Sequence, residues 1–452
     1  MIRRVAVLVV GFVTLASALA ACGDDDGGVA DPDAAVGDTT PPRVISTTPA
    51  DGARRVSVLL QEIVFEISEP LDEDSVAAGI IMTTKYGQGV DATVHFDAAT
   101  SSIVLRPART LSYGAEYTVG VEGPVTDLAG NELAQTLVQF RTYANPLSGI
   151  DYYAAGTASG YFDRDLDDDG NVVGGVWVLD AGDDSTWRTA DDVVSEAYRY
   201  ATTKSTFDAL TFDAPGTDGL WQTADDVVSG HSVSNLDEHG DVNRSTVYVP
   251  GDDGEWLTGD DEPLRYDAYR RTHGLAVRTT RFNNEGVDAT WFTEDDEVLS
   301  YRAVDLDSAG RPSADVWYDG SGTDGEWFTA DDAVGAYTKL TYDSAGNRLR
   351  FINYVGAGTD NVWFTADDEP DRWVEYSHDG DGLLVRETYY GQPGIDGVWL
   401  TSDDVAYYAT NTAHDVMGNR VDATSYDAPG TDGVWHTGDD LVERISTFAT
   451  DR

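Results

Sequence analysis

A single cysteine, Cys22, occurs in the 452 residues, so no disulfide can form within the chain. Basic residues are scarce too: 29 Lys and Arg stand against 81 Asp and Glu, a formal net charge of −52. A surface of that sign repels nucleic acid and anionic lipid headgroups. It leaves cations, neutral glycans and basic proteins as partners. The chain has no Gly-x-Ser-x-Gly, no phosphate loop and no His-Glu-x-x-His, and its seven histidines fall at unrelated positions. No catalytic site is legible, and the reading is non-enzymatic. Beyond the first residues no apolar run is long enough for a transmembrane helix. With 41% hydrophobic and 10% aromatic residues, the chain has material for two or more folded units.

The start reads as an export signal. Arg3 and Arg4 precede an uncharged run, Val5 to Leu15, too short for a stable span. Leu19-Ala20-Ala21-Cys22 follows and resembles a bacterial lipobox. The resemblance implies cleavage of residues 1–21, lipid on Cys22 and attachment to a membrane through that lipid. Gly23, rather than Asp, follows the cysteine, which implies the outer membrane or cell surface. Residues 22–40 are rich in Gly, Asp and Ala, cannot bury a core, and read as a flexible acidic linker.

Residues 41–143 carry short β-branched and aromatic runs, such as Glu62 to Ile67 and Ala92 to Phe96, between Asp-Gly, Pro and Ala-Gly-Asn turn signals. About seven short strands in a hundred residues predict a β-sandwich. Pro41-Pro42-Arg43-Val44, Thr48-Pro49-Ala50-Asp51-Gly52, Phe65 to Asp72, Tyr117-Thr118-Val119, Asp127 to Asn131 and Phe140-Arg141-Thr142 resemble the SbsA-type bacterial Ig-like domain. That likeness implies a structural stalk and no chemistry of its own.

Residues 144–452 repeat one unit eight times. Trp187, Trp221, Trp256, Trp291, Trp327, Trp363, Trp399 and Trp435 recur every 34 to 36 residues within Gly-x-Asp-Gly-x-Trp-x-Thr-x-Asp-Asp or a close variant. An aromatic lies nine residues before the Trp in six copies (Phe212, Phe282, Tyr318, Tyr354, Tyr390, Tyr426), and a glycine seventeen before it in six. Each unit parses as turn, strand, acidic loop, second strand: about sixteen antiparallel strands in an all-β meander. Tyr342 to Arg348 and part of Asp415 to Arg420 resemble the YD repeats of the RHS family, which implies a spiralling sheet. The alternative is a β-propeller, although a four-stranded blade is cramped in 36 residues.

The loops supply the candidate site. Their carboxylates are Asp218, Asp225 and Asp226; Asp253, Asp260 and Asp261; Asp288, Asp295 and Asp296; Asp324, Asp331 and Asp332; Asp360, Asp367 and Asp368; Asp396, Asp403 and Asp404; and Asp432, Asp439 and Asp440. Calcium takes six to eight oxygens in flexible geometry, and Asp-rich turns with glycine supply them. The same aspartates also serve as turn caps. Asp165, Asp167, Asp169 and Gly170 resemble the start of an EF-hand loop, but Val176 stands where its bidentate carboxylate belongs. The repeated Trp reads as core between units, with a sugar-stacking platform as the alternative. The expected function is a surface lipoprotein whose Ig-like stalk displays a calcium-stabilised repeat domain for protein binding or adhesion; the alternative is a lectin-like array for glycans.

Overall fold

A computed structural model describes residues 37–143, 149–154, 157–167 and 171–449. Cys22 and most of the linker lie outside the described residues, as do Asp169 and Gly170.

The first unit contains β1 (Val44–Thr48), β2 (Ala53–Val56), β3 (Ile63–Ile67), α1 (Glu73–Gly79), β4 (Ile80–Thr84), β5 (Ala92–Asp97), β6 (Ser102–Pro107), β7 (Glu116–Val121) and β8 (Leu137–Thr142). They form two four-stranded sheets, β1-β3-β6-β5 and β2-β8-β7-β4. Alternation explains the sandwich: Ile63, Phe65 and Ile67 of β3 are buried while Glu66 between them is exposed. They meet Tyr117, Val119, Val121, Val138 and Phe140 from the other sheet in one core. The short α1 is capped by the Asp72 carboxylate, which accepts from Asp74 N–H, and it buries Val76.

Eighteen strands follow: β9 (Gly149–Ala154), β10 (Thr157–Leu166), β11 (Val172–Asp180), β12 (Val193–Thr202), β13 (Thr206–Ala214), β14 (Val227–Leu236), β15 (Val242–Val249), β16 (Glu262–Thr272), β17 (Leu275–Asn284), β18 (Glu297–Leu306), β19 (Pro312–Gly320), β20 (Ala333–Tyr342), β21 (Arg348–Gly356), β22 (Glu369–His378), β23 (Leu384–Gln392), β24 (Val405–His414), β25 (Arg420–Ala428) and β26 (Leu441–Ala449). Each pairs antiparallel with the next, and β26 pairs with β9 from Arg444↔Ala154 to Ala449↔Gly149, closing a barrel. The all-β reading holds, with an Ig-like unit followed by a repetitive antiparallel array. The meander closes on itself in place of spiralling or forming propeller blades. The eight Trp units account for sixteen of these strands; β9 and β10 lie ahead of them, and β9 supplies the edge on which β26 closes. Closure removes both sheet edges, and eighteen strands are enough to leave a lumen.

The connections alternate. One end of the barrel carries short turns such as 343–347, where Asp343 Oδ1 accepts Asn347 N–H at 2.8 Å. The other end carries the acidic loops.

The Ig-like unit lies against the turn end and touches turns around the ring. Tyr86 O–H donates to Asp241 at 2.6 Å, and Lys85 Nζ lies 3.2 Å from the same carboxylate. Thr110 O–H donates to Asp381 C=O, and Tyr113 O–H to Gly418 C=O. Arg141 reaches Asn171 Oδ1 at 3.3 Å. Gly418 is tightly enclosed there: a Cβ would fall 2.6 Å from Val58 Cγ2. A cleft of about 670 Å³ remains between the two units.

Candidate functional site

The acidic loop is built the same way in each unit, beginning with its glycines. The one five residues before the Trp is Gly in all eight copies, and at Gly322 a Cβ would lie 2.3 Å from the backbone oxygen of Asp331. No side chain fits. The position two before the Trp has positive φ but open space, as at Gly325, and there Ser185, Ala289 and Asn361 stand in three copies. The first glycine answers to space in every copy and to a positive φ as well in five, Gly322 among them, whereas the second answers to conformation alone.

The residue after each Trp is left-handed although it is never glycine: Arg188, Gln222, Leu257, Phe292, Phe328, Phe364, Leu400 and His436 have φ between 64° and 72°. This conformation costs on the order of 1–2 kcal/mol each. It aims the backbone N–H at the second Asp of the pair, Phe364 N–H donating to Asp368 Oδ2 at 2.7 Å. It also lays the side chain back over earlier strands. Phe292 sits under the Arg244 guanidinium at 3.8 Å, and His436 lies 2.7 Å from Thr388 Oγ1.

Each of the three carboxylates has its own place. The leading Asp closes an Asx turn, as where Asp324 Oδ1 accepts Glu326 N–H at 2.8 Å. The first Asp of the pair stitches the loop's two sides: Asp331 Oδ2 accepts Thr323 N–H and O–H, both at 2.7 Å, and Asp324 N–H at 3.2 Å. Such bonds favour the charged form. They hold Asp225 down at about 2, chiefly through Thr217 and Thr223, and push Asp331, Asp367 and Asp439 well below the ordinary carboxylate range.

The second Asp is buried in most copies, for example Asp296, Asp332, Asp368 and Asp404. Its Oδ2 also accepts from a ring on the preceding strand pair: Tyr266 to Asp296 and Tyr301 to Asp332 at 2.6 Å, Tyr337 to Asp368 at 2.5 Å, and Trp373 Nε1 to Asp404 at 2.7 Å. Those four rings lie ten residues after a Trp, a periodicity present in the sequence but outside the Trp motif that defined the unit. They stack on the aromatics nine before the next Trp, Tyr337 on Tyr354 at 4.5 Å and 6°. Burial first, then the bond to Asp368, drives the Tyr337 hydroxyl well above its ordinary pKa. The loop Trp packs edge-on against the same ring, Trp363 to Tyr337 at 5.9 Å and 81°. All eight repeat tryptophans are half-buried, so they tie loop to sheet without entering a deep core.

At the centre of the loop sits the Thr two residues after the Trp. In the fourth unit, Thr293 Oγ1 lies 2.8 Å from Asp295 Oδ1, 3.0 Å from Thr290 C=O, 3.3 Å from Asp296 Oδ1 and 3.5 Å from Asp288 Oδ1. One hydroxyl proton serves four oxygens. In the sixth unit Asp368 Oδ1 is buried with no donor among the described residues. Among the described residues, only Asp38, Glu69 and Asp127 bring oxygens of three acidic side chains within 4.8 Å of one another. The loop carboxylates face one centre at a wider spacing.

Residues 38–142 match the family model of a bacterial Ig-like domain. No curated protein matches the chain. Among solved structures, PcoC, a copper resistance protein from Escherichia coli, is 20% identical and pairs 22% of this chain with 97% of its own, at a TM-score of 0.19. The N-terminal part of the bacterial S-layer protein SbsC is 14% identical over 44% of each chain, also at 0.19. A porin-like protein from Bacteroides uniformis is 10% identical and pairs 68% of this chain with 98% of its own, at 0.29. Scores this low lend the three likenesses no weight as argument.

The ring-to-carboxylate bond has a measurable worth. Tyr337→Phe should lower unfolding free energy by about 1.5–3 kcal/mol, because a buried charged acceptor loses its donor. Tyr354→Phe, whose hydroxyl makes no hydrogen bond among the described residues, should stay near wild type in the same urea titration. Because Asp225 is depressed to about 2 in the folded state, its contribution is complete above the unfolded value near 4 and is lost as pH falls toward 2. Melting temperature followed from pH 6 down to 2 should therefore drop mainly below pH 4, and Asp225→Asn should flatten that limb.

Proposed function

We propose that this chain is a non-enzymatic, lipid-anchored surface protein, tethered through Cys22 to the outer membrane or cell surface. Its Ig-like unit is the stalk and its barrel is a rigid display domain for another protein, with calcium in the acidic loops. The YD-like strand–turn–strand unit belongs to this reading as an architectural likeness to the RHS family. Its use here is a closed ring.

The observation that carries the calcium assignment is the shortage of protons at the loop centre. The Thr hydroxyl, the carbonyl before the Trp and the inward oxygens of the aspartates converge with one proton among them, and Asp368 Oδ1 has no donor among the described residues. A divalent cation supplies the positive charge that protons do not. Calcium bonds of about 2.3–2.6 Å would draw the leading Asp inward. The outward oxygens stay on backbone donors, so occupancy leaves the loop frame intact.

The tether is supported by the charge on both faces of the barrel wall. Arg281–Asp267 and Arg302–Asp315 pair on one face. On the other, Arg278 packs over Phe328 and Arg350 lies 3.6 Å from Glu375. A membrane-spanning barrel needs an outward apolar band about 25 Å tall, which charges on both faces interrupt. The edge-on packing of the loop tryptophans favours protein display over a sugar-stacking array.

Thermal unfolding in calcium and then in chelator tests the reading. At ten times its dissociation constant, calcium should add about 1.4 kcal/mol per site. The melt should rise by many degrees with calcium, much less with magnesium, and Thr365→Val with Asp367→Asn should remove part of the gain. A melt identical in calcium and chelator would reduce the loops to turn-capped acidic hairpins.

A further inference from the structure

The repeat constrains only one face of the sheet. On the loop-bearing face the stacked rings and their Asp partners recur from unit to unit. On the opposite face no residue is common to all units: nine residues after each Trp stand Glu196, Gly230, Arg265, Ser300, Ala336, Arg372, Tyr408 and Arg444, arginine in three of the eight. Eleven after stand Tyr198, Ser232, Asp267, Arg302, Thr338, Val374, Thr410 and Ser446. Structure is held by the repeated face, so a single, asymmetric site belongs on the other.

Such a site lies beside the closing seam. A cavity of about 330 Å³ opens on β9 and β23 to β26, lined by the rings of Tyr152, Tyr389, Tyr408 and Phe448. Two guanidinium groups share it. Arg420 lies over Phe448 at 5.5 Å, and its Nε is buried with no hydrogen-bond partner among the described residues. Arg444 lies over Tyr152 at 5.7 Å. Neither forms an ion pair among the described residues, in a chain with 81 acidic residues. An acid close to the cavity is Glu387, opposite Thr410 in the β23–β24 register, and burial raises its pKa and disfavours its charged form. The hydroxyls of Thr410, Ser425 and Ser446, all on buried residues, line the floor and make no hydrogen bond among the described residues.

We infer that this cavity binds a carboxylate-bearing sugar, a uronic acid at the end of a glycan. The guanidinium groups take the carboxylate, the aromatic rings take the apolar face of the pyranose, and the serine and threonine hydroxyls take its ring hydroxyls. A volume of this order suits a ligand of one or two rings. The acidic loops do not oppose it. Arg444 stands four strand residues beyond Asp440, roughly 13 Å away, further than the Debye length of about 8 Å in physiological salt. The site lies away from the loops and does not depend on their binding calcium.

The test is calorimetric titration of the purified chain with D-galacturonate, with D-galactose and benzoate as comparators, in calcium and in chelator. Galacturonate should bind saturably in both, at least about tenfold more tightly than galactose, which lacks the carboxylate. Arg444→Gln should weaken it by a similar factor with an unchanged melting temperature, and Tyr408→Leu should weaken galacturonate and galactose alike. Absence of saturable galacturonate binding would overturn the inference. So would equal binding by Arg444→Gln, or binding of benzoate without galacturonate.

Discussion

One interaction organises the barrel: a buried aspartate that accepts from its own loop and from a ring on the strands before it. Asp368 shows the full form, with Phe364 N–H and Tyr337 O–H on the same oxygen. Buried charge is costly unless it is hydrogen-bonded, and charge-assisted bonds offset that cost. The consequence is directional. Where the ring donor is present, the loop is fastened backward onto an earlier hairpin, so those units overlap around the ring. Two features otherwise unfavourable in isolation depend on it: the left-handed residue after each Trp and the glycine that admits no side chain.

The array does not fasten identically everywhere. Tyr266, Tyr301, Tyr337 and Trp373 occupy the donor position for four consecutive loops. Tyr161 occupies it for the first, its O–H donating to Asp192 Oδ2 at 2.8 Å. Ala197, His231 and Ala409 occupy it for the other three. His231 faces Asp261 at 3.9 Å, beyond a hydrogen bond, and stacks on Tyr248 at 5.1 Å. Ala197 packs with Leu210 and Phe212 instead. Three of the eight loops thus lack the ring donor, and the fastened first loop separates them. One of them, the loop facing Ala409, is the last before the seam where β26 meets β9.

Much of this was legible in the sequence. The period of the tryptophans defined the unit, and turn residues set the alternation of hairpin and loop, because those signals are local. Closure was not legible: β9 contains no Trp motif, and pairing of Ser446 with Tyr152 joins residues almost three hundred positions apart. The double duty of the aspartates was also hidden. A motif shows three carboxylates but not that one oxygen of a pair turns outward to backbone donors while the other turns to Thr. Tyr266, Tyr301, Tyr337 and Trp373 could have been found, since they share the period. They look like ordinary strand aromatics until the register places them beside Asp296, Asp332, Asp368 and Asp404.

Hydrogen exchange on Asp368→Ala tests the backward fastening most directly. The account predicts lost protection in two places: the loop 358–368 and the earlier strand β20 (Ala333–Tyr342) that carries Tyr337. The next loop, 394–404, should keep its protection, because it is held by Trp373 and Asp404. Faster exchange confined to the substituted loop, with β20 unchanged, would contradict the account and make the aspartate a local cap.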